Sequence, residues 1–159
     1  MADKDKRIVY QGEDGIAKVV APAPEFLENG GTLNDVLIKC VPVSGRDTAD
    51  IVDKSEVLSD RTFRNAWETS KGKSTEVNLS KAKDIAKEKV REKRVPKFAE
   101  LDVAYQRADE DGDADAKKAV ADKKKVARDA TKNTKITDAD SVDKLKEGME
   151  AVIKEVSDL

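Results

Sequence analysis

At "TSKGKST", Thr69 to Thr75, the chain changes character, and that change limits what it can fold into more than any other feature. Before it lie β-branched runs broken by glycine and proline. After it no run reads as a strand, and apolar residues return at helical spacing among lysines and acids. A short, polar, glycine-containing stretch has the composition of a linker. The expected fold class is α+β. A small domain over 1–69 is followed by a linker over 70–76 and a charged α-helical region over 77–159.

In the first part, "RIVYQ" (Arg7 to Gln11) and "IAKVVAPA" (Ile16 to Ala23) flank "GEDG", a hairpin-turn composition, so the pair predicts a β-hairpin. Pro22 and Pro24 end strand pairing because proline has no amide donor and a fixed φ. Thr32 is placed to cap a short helix with Leu33, Val36, Leu37 and Cys40 on one face. A proline and glycine loop from Pro42 to Asp47 then leads into an extended piece over Ala49 to Asp53.

"VLSDRTFRNAWE", residues 57 to 68, holds the chain's one tryptophan and one of its three phenylalanines. Ser59 suits an N-cap, Asp60 the first turn, and Leu58 with Phe63 the spacing of a hydrophobic staple, which together predict a helix. On it Phe63 and Trp67, four apart, would share a face, with Asp60, Arg64 and Glu68 pairing alongside. Leu58, Phe63 and Trp67 are thus the candidate core of the small domain, or its docking surface. Core is favoured, because a chain so poor in aromatics has little else to bury there.

Beyond the linker, Leu79, Ala82, Ala86, Val90 and Leu101 return to one side of a helix over Ser80 to Asp109, with a kink or break near Val95 because of Pro96. "DEDGDAD" (Asp109 to Asp115) reads as a turn, and the alanine-rich stretch after it as a second helix folding back. "TKNTKIT" reads as a loop. Thr137 or Asp138 is expected to cap a last helix carrying Val142, Leu145, Met149, Val152 and Val156. A helical hairpin or three-helix region results.

The chemistry available is narrow. The chain has no histidine, which removes the commonest general base, the Ser-His-Asp and Cys-His arrangements and most zinc sites. Cys40 ends an apolar stripe and is expected to be buried and inert; one cysteine cannot form an internal disulfide. As a calcium loop, "DEDGDAD" puts Ala114 where the sharp turn needs glycine and Val120 where a bidentate glutamate belongs. No phosphate-loop or dinucleotide pattern is present. No catalytic residue, metal or cofactor is expected. The amino terminus lacks a signal-peptide run, and no apolar segment is long enough to span a bilayer.

"KAKDIAKEKVREKRVPK" sets Lys81, Lys83, Lys87, Lys89, Arg91, Lys93, Arg94 and Lys97 against Asp84, Glu88 and Glu92. A patch of this kind could contact phosphates. Its bases spread around the helix, and aromatics for base stacking are nearly absent, so a solvated, charge-paired helix is favoured over nucleic-acid binding.

The stretches "RIVYQ" (Arg7 to Gln11), "IVD" (Ile51 to Asp53) and above all "DRTFRNAWE" (Asp60 to Glu68) together resemble small proteins of tailed bacteriophages and prophages, encoded among tail-fibre and tail-assembly genes. "LDVAYQRADEDGDADAKKAVADKKKVARDAT", with Arg128 and Asp129 near its end, is similar to the helical tail of that group. This chain departs from the pattern at Leu58, where proline is usual. The resemblance implies a non-enzymatic virion structural or tail-associated assembly protein, working by protein-protein interaction. Its expected partners are other virion or tail proteins, with self-association open, and neither nucleic acid nor membrane. It would reside in the virion or, during assembly, in the host cytoplasm.

Overall fold

The computed structural model describes residues 3–159, which form two compact units dividing between Asn78 and Leu79. In the first, β1 (Lys6–Gln11) turns through Gly12 to Gly15 and returns as β2 (Ala17–Val20), and β3 (Asp50–Asp53) pairs with the free edge of β1. The sheet is antiparallel in the order β2-β1-β3. Ile8 stands opposite Val20 and Ile51, and Val9 opposite Val19 and Asp50. Because side chains alternate along a strand, Ile8 and Tyr10 serve one face and Arg7, Val9 and Gln11 the other. The expected hairpin and third strand are both present.

On the first face lies α2 (Leu33–Cys40). Thr32 caps it as expected, its Oγ1 accepting from the Asp35 amide at 3.1 Å, and the Asp35 carboxylate completes a capping box by accepting from the Thr32 amide at 2.9 Å. Ile8, Val36 and Val41 are buried together, with Tyr10, Val20, Phe26, Leu37 and Ala49 packed around them. Phe26 comes from α1 (Pro24–Glu28), a short helix that Pro24 opens from its first turn, where no amide is missed. Cys40 is exposed, contrary to expectation, because the helix ends there and the next residue, Val41, turns into the core instead. The expected loop from Pro42 is a 3-10 helix over Val43–Thr48. Within it Gly45 lies under Tyr10, whose ring would stand 2.6 Å from any added Cβ.

The second face is covered by residues 57–77, and here two expectations fail. Residues 59–68 are not a helix. Asp60 Oδ1 accepts from both the amide and the hydroxyl of Thr62, at 2.8 and 2.6 Å, a local turn that competes with helical hydrogen bonding. After one 3-10 turn (Arg64–Ala66), the backbone extends into β4 (Trp67–Glu68). Nor are residues 70–76 a linker. They form the turn and the beginning of the return strand of a second hairpin, in which β5 (Glu76–Val77) pairs antiparallel to β4. This ribbon is tied to the sheet. Gln11 Oε1 accepts from the Thr69 amide at 2.9 Å, and Asp50 Oδ2 from the Gly72 amide at 2.8 Å.

In the second unit, α3 (Leu79–Glu110) turns at Gly112 into α4 (Ala114–Asp129), which Asp113 caps by accepting from the Ala116 amide. The two run antiparallel: Arg94 donates to the Arg128 carbonyl, Lys124 pairs with Asp102, and Lys117 with Asp109. The helix α3 passes Pro96 without a break. Pro96 and Glu92, whose carbonyl loses its donor, are both exposed to water, so the missing bond is cheaply replaced.

The expected loop over 131–137 is ordered as a 3-10 turn (Ala130–Lys132) and α5 (Thr134–Thr137). Ser141, rather than Thr137 or Asp138, caps α6 (Val142–Ser157). Leu145, Met149, Val152 and Val156 are buried on α6, and Ala82, Ala86 and Val90 on α3, as the spacing predicts; Val142 is only half-buried. Small side chains let the helices approach. Gly148 is the limiting case, since a Cβ there would come within 2.2 Å of the Lys135 carbonyl oxygen.

Replacing Gly148→Ala is therefore expected to destabilise the helical unit by about 1–3 kcal/mol, because the obstacle is backbone that cannot swing aside. Urea unfolding followed by helical circular dichroism measures this, and an unchanged midpoint would contradict the close crossing.

Candidate binding cleft

Phe63 and Trp67 are each 2% exposed, so both belong to the core of the first unit rather than to an open surface. Ala66 between them is fully buried, and beneath them Val9, Ala17 and Val52 are buried on the second face of the sheet. Leu58 is half-buried, and its amide donates to Thr75 Oγ1 at 3.0 Å, which holds the 57–59 segment against the returning strand.

Where that segment passes the sheet it leaves a cleft of about 340 Å³. Val19, Val57, Leu58 and Trp67 wall it with apolar surface. Arg7, Lys54 and Arg61 contribute cations to its lining, and Ser59 a hydroxyl. Among the described residues no carboxylate lines it. The acids nearest in sequence are engaged elsewhere: Asp53 pairs with Lys6 at 2.7 Å, Glu56 accepts from the Asp53 amide at 2.7 Å, and Asp60 holds Thr62.

A fourth cation lies behind the lining, against Trp67. The Arg64 guanidinium stacks over the Trp67 ring at 4.4 Å. Burial, and after it the neighbouring Arg61 charge, push the Arg64 pKa down, with Asp14 acting in the opposite sense. Asp14 itself is paired with Lys18 at 2.5 Å. Arg64 Nη1 and Trp67 Nε1 are buried with no hydrogen-bond partner among the described residues. Donors in that state cost about 1–3 kcal/mol each relative to a satisfied pair. Among the described residues that line the cleft, the charged side chains are all cations.

The basic positions of α3 do not form a comparable site. Lys83 donates to the Thr137 carbonyl at 2.7 Å and Arg94 to the Arg128 carbonyl at 2.9 Å, so both tie helices together. Lys87, Arg91 and Lys97 pair with Asp84, Glu88 and Glu100 along the same helix. Lys81 and Lys89 are half-buried and also engaged, and Lys93 stands exposed. Five of the eight cations thus serve packing or local ion pairs. Within "DEDGDAD", Asp113 is a helix cap and Asp109 an ion-pair partner, and no group of three metal-ligating side chains is found among the described residues.

Sequence reasoning missed Arg7, Lys54 and Arg61 as a group. They lie up to fifty-four positions apart, and only the pairing of β3 with β1 and the crossing of residues 57–67 over the sheet bring them together. No family model matches the chain, and no curated protein or solved structure matches it either.

Truncating Trp67→Ala removes the largest fully buried side chain of the protein and should cost the first unit about 3–5 kcal/mol. A urea titration followed at the β1 amide resonances reads that loss. A change under about 1 kcal/mol would mean that the second face does not depend on this ring.

Proposed function

We propose that the chain is a non-enzymatic bacteriophage protein, a structural or tail-associated component in virion assembly that acts through protein-protein interaction. One observation carries this reading. Two of the three stretches on which the resemblance rests line one cleft, "RIVYQ" through Arg7 and "DRTFRNAWE" through Arg61 and Trp67, and Lys54, the residue after "IVD", joins them.

The composition of that cleft supports binding more than turnover. It combines apolar walls with cations and one hydroxyl, and among the described residues no carboxylate, cysteine or histidine lines it to activate that hydroxyl. Apolar centre and polar rim are the ordinary anatomy of a protein-binding surface. A nucleic-acid role through Lys81 to Lys97 has less support, since most of those side chains already serve packing or local ion pairs. The expected place of action is the virion, or the host cytoplasm while particles are built.

Mass spectrometry of purified particles, with infection by a deletion mutant alongside, tests the reading. Expected are the chain in the particle at a fixed copy number, or particles lacking tail parts when the gene is removed. Absence from the particle together with unchanged particles and infectivity would overturn it.

A further inference from the structure

Resting on the protein-binding reading, we propose that the cleft between β1 and residues 54–67 takes an acidic segment of a partner protein, seating one large apolar side chain between carboxylates. The volume, about 340 Å³, suits a side chain and its flanking backbone, not a folded surface. Val19, Leu58 and Trp67 give the buried side chain its apolar contact. Arg7, Lys54 and Arg61 give the flanking carboxylates their partners.

Charge complementarity selects this occupant. Asp53 pairs with Lys6, Glu56 accepts from the Asp53 amide and Asp60 from Thr62; Arg7 Nη1 donates to the Lys4 and Lys6 carbonyls, and among the described residues no carboxylate lines the cleft to face Lys54 and Arg61. Arg64, outside the lining, stacks on the Trp67 ring and adds its charge to those of the lining cations. A carboxylate-bearing segment supplies the complementary charge, while its apolar residue uses walls that a phosphate would leave uncovered.

The chain provides its own reporter, because Trp67 is its single tryptophan and forms part of the cleft wall. The test is selection of a random-sequence peptide library on the intact protein and on the double variant Lys54→Glu, Arg61→Glu. Both positions are exposed, and the neutral pair Lys54→Gln, Arg61→Gln serves if the charge reversal disturbs folding. Expected are peptides with Asp or Glu flanking one large apolar residue, which shift Trp67 emission and bind the variant at least about tenfold more weakly. Added salt should weaken them further.

The proposal is overturned if the selection yields no acidic consensus, or if wild type and variants hold the same peptides equally. It is also overturned if inorganic phosphate or a single-stranded oligonucleotide shifts the emission at lower concentration than the peptides do. Failure here with the chain present in particles removes the acidic-segment proposal and leaves the virion reading standing. Success here with the chain absent from particles and infection unchanged does the reverse.

Discussion

A three-stranded sheet has two faces to bury, and α1, α2 and the 3-10 helix after them cover only the one that holds Ile8 and Tyr10. The other face presents Val9, Ala17 and Val52, with Arg7 and Gln11 beside them. Trp67 and Phe63 meet that need. Burying a tryptophan removes roughly 200 Å² from water, which at about 25 cal/mol per Å² contributes about 5 kcal/mol. That is comparable with the whole stability of a small domain. A chain with so few aromatics has little margin for losing one, and the rest of the unit follows from how this pair is delivered to the sheet.

Delivery is done by polar bonds at the margins. A two-stranded ribbon is marginal by itself, so β4 and β5 require the bonds from Thr69 to Gln11 and from Gly72 to Asp50. Ser74, donating to the Glu56 carbonyl at 2.6 Å, closes the ribbon from the other side. Holding the ribbon in this position forces residues 57–61 to arch past β1, and the arch opens the cleft. The stacking of Arg64 on Trp67 then brings a cation into a half-buried setting, within reach of the Arg61 charge on one side and of Asp14 on the other. Structure and binding surface are thus one construction, in which the ring that stabilises the sheet also walls the site.

The sequence was most readable where local signals and tertiary demands agreed. Thr32 forms the expected cap, the "GEDG" hairpin pairs as its flanks suggest, and Leu145, Met149, Val152 and Val156 fall on the buried side of their helix. It was least readable at residues 59–68, where Ser59, Asp60 and the Phe63 to Trp67 spacing all favoured a helix. There the Asp60 turn and the pairing of Trp67 with Val77 prevailed. Thr69 to Thr75 misled for a related reason: a polar, glycine-containing stretch suits a hairpin turn as well as a linker, and only its partners Gln11 and Asp50 distinguish the two. Pro96 misled because the cost of a missing amide depends on whether water reaches the orphaned carbonyl. The cleft cations had no local signature at all, since their grouping exists only after β3 joins β1.

Residues 67–77 are an integral layer of the first unit. Amide hydrogen exchange at Thr69, whose N–H is buried against Gln11 Oε1 at 2.9 Å, tests this most directly. The predicted result is protection of Thr69 comparable to that of the β1 amides, lost together with theirs in a single cooperative opening. Exchange of Thr69 at the rate of an unstructured peptide while β1 stays protected would contradict the account.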